Sequence, residues 1–259
     1  NITNYEKVFN VLEELKPEII INASAYTDVD NAENDIHSAF QVNSNAVKNL
    51  SVACASINSK LIHVSTDYVF DGSLKSGYTE DHSTSPLSVY GQSKLEGENN
   101  IRENLNAHYI VRTSWVFGKN GKNFVKTILA LAEKNNEVKV VNDQYGKPTS
   151  AASLAKIILM ICEKLIENDP IDYGTYNFAN YPCVSWFEFA NEIFQEAKNQ
   201  NILTELPKLS PVKSDEFNSL AKRPKFSNLI TDKINYALSL EKVSWEEELK
   251  NLLKNLNEQ

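Results

Sequence analysis

Glycine is scarce in this chain, with eight among 259 residues and none before Gly72. The opening stretch therefore holds no Gly-rich turn of the kind that brings backbone N–H groups up to a diphosphate at a helix N-terminus. Cysteine is rarer still. Cys54, Cys162 and Cys183 are odd in number and far apart, with no CxxC spacing, which argues against a disulfide framework or a structural zinc. The four histidines, His37, His63, His82 and His108, form no ligand-spaced cluster. Each reads as an ordinary core-edge or surface residue, and no metal site is assigned. No apolar run approaches the length of a membrane span, and no signal peptide is visible. Basic residues are outnumbered, 26 Lys and Arg against 34 Asp and Glu, for a net charge of −8. That balance argues against a general affinity for nucleic acid or an anionic membrane surface. Together these absences fit a reducing cytoplasm.

What is present is a chain 42% hydrophobic, enough for one large domain or a domain with a lobe. Val8, Phe9, Leu12 and Leu15 repeat at helical spacing, and Pro17 ends the run. Residues 18–22, EIIIN, form a short apolar run of the buried parallel-strand type. Residues 34–58 predict one long amphipathic helix, and 61–66 the next strand. A loop rich in Gly, Ser and Asp follows, then a helix that carries Tyr90 and Lys94. Residues 109–114 predict a strand, 121–135 a helix and 138–142 a further strand in the alternation. Strands alternating with helices imply an α/β fold with a doubly wound parallel sheet. Later the pattern loosens. Helices at 153–167 and 185–200 flank a short YNFAN segment, residues 205–227 hold three prolines and few regular signals, and 244–256 form a charged terminal helix. This later stretch predicts a smaller lobe interleaved with the sheet.

The most informative local pattern is Tyr90 and Lys94 in PLSVYGQSKLEGE, with Thr66 upstream in HVSTDYVFDG. Residues i and i+4 share a helix face, so a phenol and an ammonium can enter one pocket. A free tyrosine titrates near pH 10, which suits it poorly to acid–base work at neutrality. A nearby cation favours the phenolate. Lowering its pKa by three units would take roughly 4 kcal/mol of differential interaction, which a fixed lysine and a positively charged nicotinamide ring can supply together. A threonine hydroxyl beside the phenol can hold a carbonyl oxygen that is being protonated. The trio suits reduction of a ketone by a bound hydride donor. The plain alternative is a surface helix on which the Tyr90 ring packs along the lysine stem. Against it, no other tyrosine here has lysine at i+4.

The words around the trio resemble the dTDP-4-dehydrorhamnose reductase family of the extended short-chain dehydrogenase/reductase superfamily. They are IINASAYTDVDNAE, VNSNAVKNL, HVSTDYVFDG, PLSVYGQSKLEGE, VRTSWVFG, NDQYGKPTSA and KRPKFSNL, in family order across nearly the whole chain. YxxxK is generic to the superfamily, whereas STDYVFDG, RTSWVFG and RPKFSNL are specific to these reductases and their nearest kin. The resemblance implies a Rossmann-like dinucleotide-binding domain over residues 1–150 and a mainly substrate-binding lobe over 151–259. It implies NADPH or NADH as cofactor, a dTDP-linked keto-deoxysugar as substrate, and a homodimer in some members. Thr66, Tyr90 and Lys94 would be catalytic. Tyr90 would protonate the sugar C4 oxygen, Lys94 would bind the nicotinamide ribose and acidify Tyr90, and Thr66 would orient the keto oxygen. Ala25, Tyr26, Thr27, Asn43 and Val64 would lie along the cofactor with Tyr90 and Lys94. Asp67, Trp115 and Arg223 would join Thr66 in binding the substrate, Arg223 by forking onto the nucleotide diphosphate. Three bland counterparts stand beside these roles: core packing for Trp115, a helix-interior hydrogen bond for Asn43 and a surface salt bridge for Arg223.

Two further readings go with the resemblance. Kin of these reductases serve as regulatory subunits of methionine adenosyltransferase, which makes a non-catalytic binding module the alternative, and reduction of another nucleotide-linked keto-deoxysugar is a third. The superfamily begins with a strand and a Gly-rich turn. Their lack here, with Asn1 standing amid a helix-entry pattern, leads us to expect further sequence upstream and makes cofactor binding by these residues alone doubtful.

Overall fold

The computed structural model describes residues 1–217 and 219–257. Its centre is a four-stranded parallel sheet in the order β1 (Ile19–Asn22), β2 (Lys60–Thr66), β3 (His108–Thr113) and β8 (Gly174–Asn177). Ile20, Ile21 and Asn22 lie opposite Leu61, Ile62 and His63 on β2, and Ser65 and Thr66 lie opposite Arg112 and Thr113 on β3. β2 and β3 are buried nearly throughout, as apolar parallel strands covered on both faces must be. One face packs helices α1 (Tyr5–Leu15) and α4 (Ala46–Ser56) through Val8, Leu12, Val47, Leu50 and Cys54. The other packs α7 (Ala151–Ile166) through Leu154, Ile157, Ile158 and Ile161.

The helix expected over 34–58 is present with an internal irregularity. After α2 (Val29–Ala32) come α3 (Ile36–Phe40), a π-helical turn over Gln41–Asn45, and α4. The wide turn faces α5 (Val89–Asn104), capped by the Ser88 hydroxyl, which accepts from the Gly91 N–H at 3.2 Å. Gly97 explains how close α5 comes: a Cβ there would stand 2.1 Å from the Asn43 carbonyl oxygen. Gly91 has the same role nearer the start of the helix, where a Cβ would stand 2.3 Å from the Tyr68 carbonyl oxygen.

Two expectations are corrected. The strand foreseen near 138–142 forms, as β5 (Glu137–Val141), but leaves the main sheet to pair in parallel with β10 (Lys208–Val212). β10 lies inside the proline-rich stretch read as irregular. Pro211 is tolerated because the strand has a partner on one side only. The fourth sheet position goes instead to β8, whose last residues open the YNFAN segment. Four residues are too few to show a strand period.

Short strands β4 (Val116–Phe117) and β7 (Thr149–Ser150) pair with each other, as do β6 (Tyr145–Gly146), β9 (Val184–Ser185) and β11 (Phe226–Ser227). A second core gathers α6 (Phe124–Lys134), α8 (Trp186–Asn199) and α10 (Trp245–Asn257) around Phe117, Phe189, Ile193, Trp245 and Leu249. α8 starts in a capping box in which Ser185 and Glu188 satisfy each other's backbone N–H. α9 (Asp232–Ala237) sits against β8.

A buried ion pair joins α5 to the sheet. The Arg112 guanidinium on β3 forks onto Glu98, Nε to Oε1 at 2.9 Å and Nη2 to Oε2 at 2.7 Å. Ser65 on β2 donates to the same carboxylate at 2.6 Å, and Arg102 adds a further contact at 2.7 Å. These donors hold the Glu98 carboxyl below the usual range despite its burial. Glu98→Ala would leave the Arg112 charge buried without its partner, at an expected cost of about 3–5 kcal/mol. Urea unfolding of the variant checks this, and a loss no larger than that of a surface substitution would remove the pair from the account.

Candidate active site

The carboxyl ends of β1, β2 and β3 open into one cleft of about 970 Å³, the place where doubly wound sheets take their ligands. Ala23, Ala25 and Thr27 follow β1, Thr66 ends β2 with Asp67 and Tyr68 after it, and Ser114 and Trp115 follow β3; all line it. Val64, Tyr90 and Lys94 complete this wall. From the second half of the chain come Trp186 on α8 and Glu248, Asn251 and Asn255 on α10.

The three expected catalytic side chains meet here. Tyr90 and Lys94 reach the same cleft from successive turns of α5, and the Thr66 hydroxyl is close enough to Tyr90 to favour its phenolate. Thr66 itself donates to Asp67 Oδ1 at 3.0 Å and accepts from the Tyr68 N–H at 3.2 Å. The Tyr68 ring stands edge-on to Tyr90 at 5.5 Å.

The electrostatics differ from expectation. Tyr90 keeps some of its surface on the cleft, but its hydroxyl is enclosed, and burial pushes the phenol up to about 12, with Asp67 adding to the rise. Of its neighbours, the Thr66 hydroxyl is the one that draws the value down. Burial brings the Lys94 ammonium down to about 8, countered only partly by Glu98. Its Nζ donates to the Val64 carbonyl at 2.7 Å and stands 3.2 Å from His63 Nε2. The acidified phenol is therefore not a property of this arrangement of side chains. Asp67 is affected in the same way: burial raises its carboxyl to about 7, with Ser227 and Thr66 nearby opposing the rise, and among the described residues no donor meets the distance and angle of a hydrogen bond to its Oδ2.

The remaining expected residues divide. Ala25, Thr27, Val64, Asp67 and Trp115 line the cleft. Trp115 does so in a left-handed conformation, φ 50°, with its ring stacked on Trp186 at 3.5 Å. It lies against Gly146, where a Cβ would stand 2.5 Å from the indole. Tyr26 and Asn43 do not line it. Asn43 is buried, accepts from the Tyr26 N–H at 2.8 Å, and donates to the Tyr26 carbonyl and the Ser93 hydroxyl, both at 3.0 Å. Its amide ties the loop after β1 to α5. Arg223 also lies outside the lining. Its guanidinium already forks onto Asp30, at 2.6 and 3.1 Å, and donates to Ser219.

Sequence reasoning missed Asn22, His63, Tyr68 and Trp186. His63 is no core-edge residue: it is fully buried beside Lys94. Its position on the strand facing the YxxxK helix was the available signal. Among the described residues, no cluster of three or more His, Cys, Asp or Glu could hold a metal ion, and no helix is long and apolar enough to cross a membrane.

A parallel sheet with tyrosine, lysine and threonine at its carboxyl edge defines a Rossmann-like reductase of the short-chain dehydrogenase type. The family model described as the RmlD substrate binding domain matches residues 1–258. A dTDP-4-dehydrorhamnose reductase of Aggregatibacter actinomycetemcomitans is 43% identical over 252 residues, 97% of this chain and 86% of that protein. The spore coat polysaccharide biosynthesis protein SpsK of Bacillus subtilis is 34% identical, over 88% of this chain and 76% of that protein. Among solved structures, the dTDP-4-dehydrorhamnose reductase of Bacillus anthracis in complex with NADP superposes with a TM-score of 0.90 at 40% identity, over 98% of this chain and 86% of that one. The chain belongs to the dTDP-4-dehydrorhamnose reductase family.

Asp67 generates a pH prediction. Its folded pKa stands above its unfolded one, so the folded state holds a proton that the unfolded state releases. This group's effect on stability is absent below pH 4 and becomes a growing penalty as pH rises toward 7. Asp67→Asn should therefore stabilise the fold more at pH 8 than at pH 5, by about 2–3 kcal/mol. Urea unfolding at the two pH values measures the difference, and a pH-independent effect would show that Asp67 is not held protonated.

Proposed function

We propose that this chain reduces dTDP-4-dehydro-β-L-rhamnose to dTDP-L-rhamnose with NADPH or NADH, in the cytoplasm. Family membership supports the reaction, as do the names of its relatives. The observation that carries it here is the convergence of Thr66, Tyr90 and Lys94 on a cleft whose opposite side is closed by Trp115 and Trp186.

The cleft fits the reactive end of a nicotinamide cofactor. Small side chains, Ala23 and Ala25, leave room at the carboxyl end of β1, and Val64 gives an apolar surface beside Lys94. Asp67 Oδ2, buried and without a hydrogen bond among the described residues, is a polar atom available to a ligand. The Gly-rich turn of the superfamily does not occur in residues 1–71, so the residues present address the nicotinamide ribose and not the diphosphate. When bound, the cofactor supplies a hydride.

The chain's own side chains supply the rest. The Thr66 hydroxyl turns from Asp67 to the keto oxygen and fixes its direction. Tyr90 donates its proton to that oxygen as negative charge develops, which is general acid catalysis. Asp67, held protonated near neutrality, can donate a hydrogen bond to a sugar hydroxyl as well as accept one. Trp115 covers the sugar with a flat face and, stacked on Trp186, keeps water from it. Asn43 acts through position, holding the loop that carries Ala25 and Thr27 against α5.

We assign residues 1–150 mainly to the nicotinamide side and 151–259 mainly to the sugar nucleotide. Trp186 and the polar face of α10 at Glu248, Asn251 and Asn255 support the second half of that division. Arg223 takes the diphosphate by exchanging Asp30 for phosphate oxygens, since a guanidinium forks onto either.

Protein purified from the full coding sequence and given the keto-sugar nucleotide should oxidise NADPH or NADH. Tyr90→Phe should lower kcat by roughly 10²–10⁴-fold, the range of general acid catalysis, with little change in KM. Turnover of a different nucleotide-linked keto-sugar, with none of this one, would move the assignment to that substrate. Full activity in Tyr90→Phe would dismiss the phenol as the acid.

A further inference from the structure

The Trp115 ring is held on both faces by two residues that reach it from one small ribbon. The ribbon is β6, β9 and β11, with Gly146 on β6 opposite Val184 on β9 and Ser227 on β11. Two residues after Val184 the chain enters α8 at Trp186. The Trp186 N–H donates to the Gln144 carbonyl at 3.4 Å, which ties the start of α8 to the chain that leads into Gly146. Trp115 comes from elsewhere, between β3 and β4.

Trp186 takes one face of the indole. The two rings are nearly parallel, 8° apart, with centroids at 3.5 Å, so no other group fits between them. Gly146 takes the other face. A Cβ on Gly146 would stand 2.5 Å from Cε2 of Trp115 and 2.8 Å from both Nε1 and Cζ2. Nε1 and Cζ2 flank Cε2 along the outer edge of the ring. A point beyond that edge, in the ring plane, would lie nearer to those two atoms than to Cε2. A point nearest Cε2 and equally far from its two neighbours lies over the ring instead. Glycine therefore covers the Nε1–Cε2–Cζ2 side of the face that Trp186 leaves open. The remainder of that face is left to the cleft that Trp115 lines.

The ring has little room to yield. Its backbone has φ 50°, a left-handed conformation that a bulky residue rarely takes, and the Trp115 carbonyl accepts from the Thr149 N–H at 3.2 Å. Trp186 is backed in turn by Phe124, with ring centroids 4.4 Å apart. A methyl group at Gly146 would fall well inside ordinary carbon–carbon contact, about 3.5–4.0 Å, and would have to displace the indole.

We propose that Gly146 and Trp186 are positioning residues that form a slot one indole thick, and that this slot sets where Trp115 presents its face to the sugar. The link to the sugar rests on the reductase reading above; the slot does not, and is measured without substrate or cofactor.

In the unaltered protein with ¹³C-labelled glycine, the Gly146 α-protons, assigned through the backbone, should be shifted upfield by the Trp115 ring current. They should also show NOEs to the Trp115 Nε1–H and Hζ2 protons. Ordinary shifts with no NOE to that ring overturn the slot. Kinetics of protein from the full coding sequence test its consequence. Gly146→Ala should raise KM for the keto-sugar nucleotide about tenfold or more, with KM for the nicotinamide cofactor nearly unchanged. In a Trp115→Ala background there is no ring to displace, and the same change should have almost no further effect. An equal rise in both backgrounds reports general damage to the ribbon and overturns the proposal. Trp186→Ala should raise the same KM, and Trp186→Phe, which keeps a flat ring, should recover most of the loss; a phenylalanine no better than alanine overturns support by stacking. If Gly146→Ala does not fold, the NOEs and the Trp186 pair decide. If the unaltered enzyme turns over no keto-sugar nucleotide, the reductase reading fails and the NOEs alone decide the slot.

Discussion

The cleft depends on how closely α5 lies against β2. Lys94 and Tyr90 act on residues of the strand, Val64 and Thr66, and they reach them because the helix can approach without a Cβ in the way. Gly97 allows contact with the π-helical turn at Asn43, and Gly91 with the Tyr68 carbonyl. Further along the same helix face, Glu98 is engaged by Ser65 and Arg112 from two neighbouring strands. Glycines permit the approach, and the ion pair makes it the favoured one. An ion pair of this kind adds little over an apolar contact while intact, and its removal is costly because a charge stays behind. It therefore serves register more than stability.

One physical cause, loss of water, sets the protonation of the whole site. Burial raises Tyr90 and Asp67 and lowers Lys94 and His63, each toward its uncharged form. Glu98 escapes the trend because it has enough donors around it. Groups in a dry cleft respond strongly to any charge brought near them.

The second core completes the site from the other side. Phe189, Ile193, Trp245 and Leu249 fix α8 and α10 against each other, and α8 carries the Trp186 ring on which Trp115 stacks. The strained backbone at Trp115 is supported by this contact and by the absence of a side chain at Gly146. The cleft thus draws its lining from residues far apart in the chain.

Much of this was legible in the residues themselves. The apolar runs before Asn22, Thr66 and Thr113 declared buried parallel strands, and YxxxK on the following helix declared which face would enter the cleft, because both signals are local and periodic. The pairing of β5 with β10, the sheet position of β8 and the stacking of Trp186 were not legible, since no local period encodes which distant segment an edge will meet. The same holds for charge. The sequence by itself determined which ionisable groups stand at the cleft; only the tertiary structure decided their protonation. An i+4 lysine suggests an acidified phenol, but a titration depends on solvent and partners, and folding removed the water from around Tyr90.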